Sequence, residues 1–148
     1  MNIRAAIAIG ALMMTNPSIA RPTIEYSPRF SVNSQLLPYS SAVRVGDVFY
    51  LSGQMGFRDN GTLADGIEGQ TRQAIENIRT VLAGAHLRLR DVFHCSVILT
   101  DMKQWSAFNR VYLEYFSEPL PTRSAFAANG LVLGGLVELE CQAYAGSK

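Results

Sequence analysis

The sequence predicts a single α+β domain in which one sheet carries two helices on one face. The chain has 148 residues, 48% of them hydrophobic and 17% charged, which suits one hydrophobic core. Short β-branched runs bounded by Gly, Asp and Pro predict strands, and two segments with apolar residues three and four positions apart predict amphipathic helices. The predicted order, β-β-α-β-α-β-β, is typical of a sheet covered by helices on one side.

The first part of this order is a hairpin followed by a helix. The runs 42–45 and 48–51 are rich in β-branched and aromatic residues and flank Gly46-Asp47, a pair that closes tight turns. Apolar residues then recur at helical spacing from Ile67 to Ala85. We therefore expect a two-stranded hairpin and then an amphipathic helix.

The second part alternates a strand, a helix and two strands. Residues 92–99 are too short and too β-branched for a helix, and Asp101 offers an oxygen for the N-cap of the next one. Aromatic residues at helical spacing follow and predict a helix packed on the sheet: Trp105, Phe108, Tyr112 and Tyr115. The runs 124–128 and 136–143 are the last two predicted strands.

The first twenty residues have the layout of a secretory signal peptide. Arg4 supplies a positive charge, residues 5–14 are apolar, and small residues end the segment at Ala20. We therefore expect a periplasmic or secreted protein with no membrane attachment after the signal is removed. The alternative is translation from Met13 or Met14, which would give a cytoplasmic protein.

Residues 21–37 show no periodicity, and Pro22 and Pro28 interrupt polar residues there. This pattern predicts an irregular or edge segment. The ordered domain is expected to span 38–148.

Charge and composition exclude several classes of protein. The chain has 13 Lys and Arg against 12 Asp and Glu, so it offers no basic surface for nucleic acid. It has no glycine-rich phosphate loop and no metal-ligand spacing, and the adjacent His94 and Cys95 point to opposite faces of a strand. We therefore expect no metal and no nucleotide cofactor. Cys95 and Cys141 lie in two predicted strands, and whether they form a disulfide depends on whether those strands are neighbours.

Two charged residues are candidates for substrate binding and proton transfer. Arg123 enters a predicted strand, and Glu138 lies fifteen positions later near the start of the next one. A guanidinium binds a carboxylate bidentately, and a partly desolvated acid can move a proton to or from water. On their own, however, an arginine and a glutamate are more often surface residues.

The order of short motifs from Pro38 to Ala143 resembles the RidA (YjgF) family of enamine/imine deaminases. Seven ordered blocks over about a hundred residues carry the resemblance, which makes it specific. They are 38–42, 45–47, 52–54, 70–73 with 76–78, Asn109 with Tyr112 and 115–116, 121–124, and 137–140.

The resemblance implies a chorismate-mutase-like α+β fold, a homotrimer, and clefts at the subunit interfaces. It implies a hydrolase of the 2-iminobutanoate/2-iminopropanoate deaminase type, which converts a 2-imino acid or its enamine to a 2-keto acid and ammonia without a cofactor. Arg123 would bind the substrate carboxylate, and Glu138 would hold the attacking water and transfer its proton. The other expected substrate-binding residues are Tyr39, Ser52, Gly53, Ala125 and Asn109.

The chain departs from the family at two places besides its N-terminus. Ala125 replaces a cysteine that many members have, which excludes thiol chemistry there, and residues 129–135 replace a turn containing Leu-Pro. The alternative function is a non-catalytic module that binds a small carboxylate in the same cleft. A holdase acting through apolar surface also stays open, whereas an endoribonuclease conflicts with the neutral charge.

Overall fold

The computed structural model describes residues 21–32 and 35–146. Within them, two long helices and nine strands alternate with single 3-10 turns at 89–91, 102–104 and 132–134. In chain order the elements are β1 (Ile24–Tyr26), β2 (Arg29–Val32), β3 (Gln35–Ser40), β4 (Ala42–Val45), β5 (Val48–Leu51), β6 (Gln54–Met55), α1 (Gly66–Gly84), β7 (Val92–Leu99), α2 (Trp105–Tyr115), β8 (Thr122–Ala127) and β9 (Val137–Tyr144).

Seven strands form one mixed sheet. The order across it is β1-β4-β5-β9-β7-β8, and β6 pairs with β9 beyond the end of β5. Every neighbouring pair is antiparallel except β7 and β8, which α2 connects as a parallel crossover. β2 and β3 form a separate two-stranded ladder. The strand order places β8 at an edge of the sheet.

The hydrophobic core lies between one face of this sheet and the two helices. On α1, Ile75 and Ile78 are fully buried, and on α2 Phe108 is fully buried. Along β9 the odd-numbered residues from Val137 to Ala143 are buried, while the intervening ones point to the other face. The predicted sandwich, with both helices on one face of the sheet, is confirmed.

Ion pairs between exposed side chains link the two helices. Arg72 of α1 pairs with Glu114 of α2, and Glu68 of α1 pairs with Arg110 of α2. Each exposed pair contributes little stability. Together the two pairs join matching positions along α1 and α2. Asp101, which the sequence placed at the N-cap of α2, instead caps the 3-10 turn that leads into α2 by accepting a 2.9 Å hydrogen bond from the Lys103 N–H.

A disulfide joins the two central strands on the core side of the sheet. Cys95 of β7 lies directly opposite Cys141 of β9, and their sulfur atoms are 2.04 Å apart. Both residues are completely buried. The sequence left this pairing open because it depended on β7 and β9 being neighbours.

The expectation for residues 21–37 was only partly right. Instead of an irregular segment, this region holds β1, β2 and the start of β3, and β1 pairs with β4 at the edge of the main sheet. The residues of β1 are all exposed, so backbone pairing forms this strand and no buried face marks it in the sequence. The predicted signal peptide, residues 1–20, lies outside the described residues. Among the helices of the described part, none is long and apolar enough to cross a bilayer.

The face of the sheet opposite the helices carries large exposed side chains. Tyr50, Phe126 and Tyr144 are each 42–52% exposed there. A sheet with helices on one face still carries apolar residues such as Val43, Val45 and Leu139, and from the sequence we expect another subunit to bury some of them. Leu139 does not need one, because the odd register of β9 places it in the core of its own chain.

Candidate active site

Arg123 lies on the edge strand β8 and faces α2. Its position in the strand is opposite Cys95, whose side chain is in the core, so Arg123 points to the helix side of the sheet. The guanidinium carbon Cζ lies 4.6 Å from the ring centroids of Trp105 and Tyr112 and 5.4 Å from that of Phe108. Its N–H groups donate no hydrogen bond to any described residue. Within the described chain, the cation therefore rests on aromatic rings and its N–H donors have no acceptor.

The rings are supplied by one stripe of α2. Trp105, Phe108 and Tyr112 follow each other at helical spacing, with ring centroids 5.9 and 5.6 Å apart. Asn109 belongs to the same side of the helix, four residues after Trp105. Ala125 follows Arg123 on the same face of β8. The sequence assigned these aromatic residues to core packing and gave no sign of their contact with Arg123.

Tyr112 is 3% exposed, and its hydroxyl finds no hydrogen-bond partner among the described residues. Burial raises the pKa of this phenol, and the nearby Arg123 charge opposes the shift. The phenol therefore stays protonated, with its ring against the guanidinium.

Glu138 lies on the other face of the sheet. It is the second residue of β9 and is opposite Met55 of β6 and Ile98 of β7. Its carboxylate lies over Gly53: a Cβ atom added to Gly53 would be 1.8 Å from Glu138 Oε1. Burial, and then the charge of Glu140, raise the pKa of Glu138. The glycine thus provides the space for a carboxyl group that takes up a proton more readily than an exposed one.

Hydrogen bonds hold the backbone next to Glu138. Ser52 Oγ donates to the Ser40 carbonyl at 2.7 Å, and the Ser52 N–H donates to the Ser41 carbonyl at 3.0 Å. Tyr39 precedes Ser40 on β3 and is half exposed. Both contacts join the end of β5 to the end of β3, so Ser52 and Gly53 lie next to Glu138, and Tyr39 is connected to them through the backbone of Ser40.

Two amide side chains of α1, one buried and one partly buried, support this same region. Gln70, only 4% exposed, accepts a 2.7 Å hydrogen bond from the Leu136 N–H, two residues before Glu138. Asn77 Nδ2 donates to the carbonyls of Met55 and Phe57 at 2.9 and 3.0 Å. Sequence reasoning quoted both residues as part of a motif but assigned them no role. Polar residues on the buried face of a predicted helix were the available signal.

The loop from 129 to 135 packs against the strand β6, next to Glu138. It contains one 3-10 turn, in which Leu133 adopts a left-handed φ of 54° and is 77% exposed. At the end of the loop, Gly135 packs so closely on Met55 that a Cβ atom there would be 2.0 Å from Met55 Cε. This loop therefore borders the strand pair that carries Glu138.

The seven residues expected at the site form two groups, which we call the arginine side and the glutamate side. The arginine side consists of Arg123, Ala125 and Asn109, together with the rings of Trp105 and Tyr112. The glutamate side consists of Glu138, Gly53, Ser52 and Tyr39. Arg123 pairs with Cys95 of β7, which pairs with Cys141 of β9, so Arg123 and Cys141 are on the same face of the sheet. Glu138 is three residues before Cys141, and side chains an odd number of residues apart in a strand are on opposite faces. The two charged residues therefore lie on opposite faces, with β7 between their strands.

A metal centre has no obvious place in the described part of the chain. No three His, Cys, Asp or Glu side chains come together there. His94 instead shares a 2.9 Å hydrogen bond with the Thr122 hydroxyl, and Cys95 is in the disulfide.

The chain is similar to known proteins over most of its length. The model of a family described as endoribonuclease L-PSP matches residues 32–145. A 2-iminobutanoate/2-iminopropanoate deaminase of Capra hircus is 38% identical over 111 residues, which cover 74% of this chain and 81% of the relative. A RutC family protein of Pyrococcus horikoshii is 38% identical over 109 residues, covering 72% and 86%. The crystal structure of RidA from an Antarctic Psychrobacter matches with a TM-score of 0.74 at 35% identity, covering 80% and 98%.

The chain belongs to the RidA (YjgF) family. The resemblance drawn from the seven sequence blocks is thereby confirmed, and so is the fold class. One mixed sheet with two helices on one face is the chorismate-mutase-like arrangement of this RidA family.

Proposed function

We propose that the protein hydrolyses short 2-imino acids, and the enamines in equilibrium with them, to 2-keto acids and ammonia. Water adds to C2 of the imine, and the resulting carbinolamine expels ammonia as the C–N bond breaks. The reaction consumes one water and needs no redox partner. The names of the relatives at 35–38% identity support this substrate class.

The observation that carries the proposal is that the Arg123 guanidinium contacts aromatic rings and has no hydrogen-bond acceptor among the described residues. An arginine that rests on aromatic rings, with no acceptor among the described residues for its N–H groups, is prepared to bind an anion. A 2-imino acid offers a planar carboxylate that a guanidinium can bind through two parallel hydrogen bonds. Arg123 would thus fix the substrate by its carboxylate.

Glu138 would then act on the water and the nitrogen. Its carboxylate accepts a proton as water attacks C2 and passes it to the imine nitrogen, which gives the carbinolamine. It then accepts the proton of the carbinolamine hydroxyl and passes it to the nitrogen, so that the carbonyl forms as the C–N bond breaks and ammonia leaves. The raised pKa of Glu138 favours these transfers, because it brings the acid closer to the pH at which the protein works. Backbone groups at Gly53 and Ala125 would contact the substrate.

One subunit cannot complete this site by itself. The arginine side and the glutamate side face away from each other, and β8 and β9 are two strand spacings apart, about 10 Å. We propose a homotrimer in which Arg123 of one subunit and Glu138 of the next border the same cleft. The exposed aromatic residues on the open face of the sheet, Tyr50, Phe126 and Tyr144, support burial by another copy. Sedimentation at about three times the monomer mass would agree with this, and a monomer would contradict it.

A coupled assay tests the proposed activity. An amino-acid oxidase generates a panel of imino acids, and their decay is followed with wild type, Arg123→Ala and Glu138→Gln. Arg79→Ala is the matched control, because Arg79 is exposed on α1 and its one ion pair within the described chain is with Glu76 of the same helix. We expect faster decay with wild type and Arg79→Ala and little or none with the two site variants. Equal rates with Arg123→Ala and wild type would refute the proposal.

The second candidate, a non-catalytic module that binds a small carboxylate, rests on the same unpaired guanidinium. It would replace the first if wild type binds 2-keto acids, loses this binding in Arg123→Ala, and accelerates the decay of no imine in the panel.

The disulfide supports export of the protein. Disulfides persist in oxidising compartments and are rare in the cytosol, and the bridge between Cys95 and Cys141 is buried in the core. We propose that residues 1–20 direct the chain to the periplasm and are removed. Fractionation of cells that express the whole chain should give a periplasmic protein that begins at Arg21 and has no free thiol. Full-length protein with two free thiols in the cytoplasm would contradict export.

A further inference from the structure

The contact between Arg123 and the rings of α2 has a role beyond packing. We propose that Trp105 and Tyr112 are positioning residues, which hold the Arg123 guanidinium in the orientation that receives a substrate carboxylate. The inference rests on the proposed role of Arg123 and assigns a function to two residues that do not themselves take part in the reaction.

The geometry of a guanidinium explains how rings can orient it. The group is planar, its N–H donors point outward in that plane, and its faces stack on aromatic rings. Cζ of Arg123 is 4.6 Å from each of two ring centroids, well within the range of a cation–π contact. Rings that occupy a face leave the N–H edge available, and this edge is the one that binds a carboxylate bidentately.

The rings themselves are fixed. Tyr112 is 3% exposed and Phe108 between the two is completely buried, so the helix core holds the surface on which Arg123 rests. A long side chain on an edge strand otherwise samples many rotamers, and ordering it on binding lowers affinity. Rings that order Arg123 in advance remove part of this loss.

The surroundings of Arg123 indicate that the rings position it for a ligand and do not merely pack against it. Arg123 has no carboxylate partner among the described residues that would hold it by charge. The hydroxyl of Tyr112, whose ring lies under the guanidinium, is also buried and finds no hydrogen-bond partner among those residues, so this polar environment is incomplete. An arginine that served only to cover the rings would gain more from a nearby acid, whereas an incoming carboxylate completes this arrangement.

The test compares two ligands that differ in charge. Binding of 2-oxobutanoate and of the neutral 2-oxobutanamide is measured by titration calorimetry with wild type, Trp105→Leu and Trp105→Phe. The exposed Leu113→Ala on the same helix is the control. We expect Trp105→Leu to weaken binding of the carboxylate about tenfold and to leave the amide unchanged. Trp105→Phe should restore most of the affinity, because it keeps a ring. In the imine assay, KM should rise in Trp105→Leu while kcat stays nearly constant.

The outcomes distinguish this inference from the proposed function. Unchanged affinity in a folded Trp105→Leu protein, or equal weakening of both ligands, would overturn the positioning role while leaving the deaminase proposal standing. Binding that follows the predicted pattern without turnover of any imine would support the positioning role and refute the deaminase. Wild type that binds neither ligand would overturn both.

A second readout tests the contact directly. Trp105 is the only tryptophan in the chain, so it alone supplies tryptophan fluorescence. Arg123→Met should change its emission, and 2-oxobutanoate should change it in wild type but not in Arg123→Met. Emission that is the same with and without the Arg123 guanidinium would contradict the contact on which the inference depends.

Discussion

The arginine side and the glutamate side of the site are built in different ways. Side chains make the arginine side: the Arg123 guanidinium rests on the rings of Trp105 and Tyr112 and donates no hydrogen bond to a described residue. Backbone makes the glutamate side: hydrogen bonds fix the chain around Ser52, and Gly53 leaves space for the Glu138 carboxyl group. One side depends on the chemistry of its side chains and the other on close approach of the main chain.

This difference predicts how each side responds to substitution. On the arginine side, a conservative change of the side chain should have a large effect, because stacking and bidentate binding are specific to a guanidinium. On the glutamate side, adding a single methyl group at Gly53 should be enough, because its Cβ would take the place that the Glu138 carboxyl group occupies and displace that group.

The largest effect is expected for Arg123→Lys. Lysine keeps the charge but can neither form two parallel hydrogen bonds to a carboxylate nor present a planar face to the rings. We expect kcat/KM to fall about 100-fold in the imine assay, mostly through KM. A lysine variant with wild-type kinetics would mean that charge alone matters on the arginine side.

Gly53→Ala tests the glutamate side. The new Cβ would be 1.8 Å from Glu138 Oε1, so the carboxyl group must move. Because small misplacement of a catalytic group is costly, kcat should fall about tenfold or more with KM less affected. Gly84→Ala is the matched control: a Cβ there meets nothing within 4 Å, and alanine favours the helix. Equal activity of both alanine variants would show that Glu138 has room to spare.

Gln70→Leu removes a support of the glutamate side from a distance. The Leu136 N–H would lose its acceptor inside the protein, which costs about 2 kcal/mol of unfolding free energy. We also expect kcat to fall by a few fold, since Leu136 leads directly into Glu138. Gln70→Glu keeps an oxygen acceptor and should recover part of the activity. Denaturant unfolding and the imine assay measure the two effects, and an unaltered unfolding free energy would contradict the role of this hydrogen bond.

The smallest effect concerns stability and pH. The pKa of Glu138 is higher in the folded than in the unfolded chain, so ionisation is penalised on folding. The penalty is absent below about pH 4, where both states are protonated, and it grows as pH rises towards the folded-state pKa. Glu138→Gln should therefore raise Tm slightly at pH 7 and have no such effect near pH 4. A Tm difference that is the same at both pH values would mean that burial does not disfavour the charged carboxylate.

Local pattern was sufficient to predict the main elements of the fold. The runs that became β4, β5 and β7 match their predicted bounds, because each has β-branched residues bounded by turn or capping residues. β1 and β6 could not be predicted in this way. β1 is exposed at a sheet edge and β6 is two residues long, so only pairing with β4 and β9 defines them.

The site shows the same limit. Family resemblance selected Arg123 and Glu138, but sequence spacing did not reveal that they point to opposite faces, since this depends on how β8 and β9 register with β7. Helical spacing in α2 identified Trp105 and Tyr112 as packing residues. That they pack against a cation is a consequence of tertiary structure, because an edge strand brings Arg123 over them.

Mixed assembly of two inactive variants tests the central claim that the site is completed between subunits. Arg123→Ala and Glu138→Gln proteins are unfolded together, refolded as a mixture, and assayed against each protein refolded alone. If Arg123 and Glu138 of neighbouring subunits share a cleft, statistical mixing restores both residues in about a quarter of the sites, and activity returns to about that fraction of wild type. If the two residues act within one subunit, every site in the mixture still lacks one of them, and the mixture stays as inactive as its components.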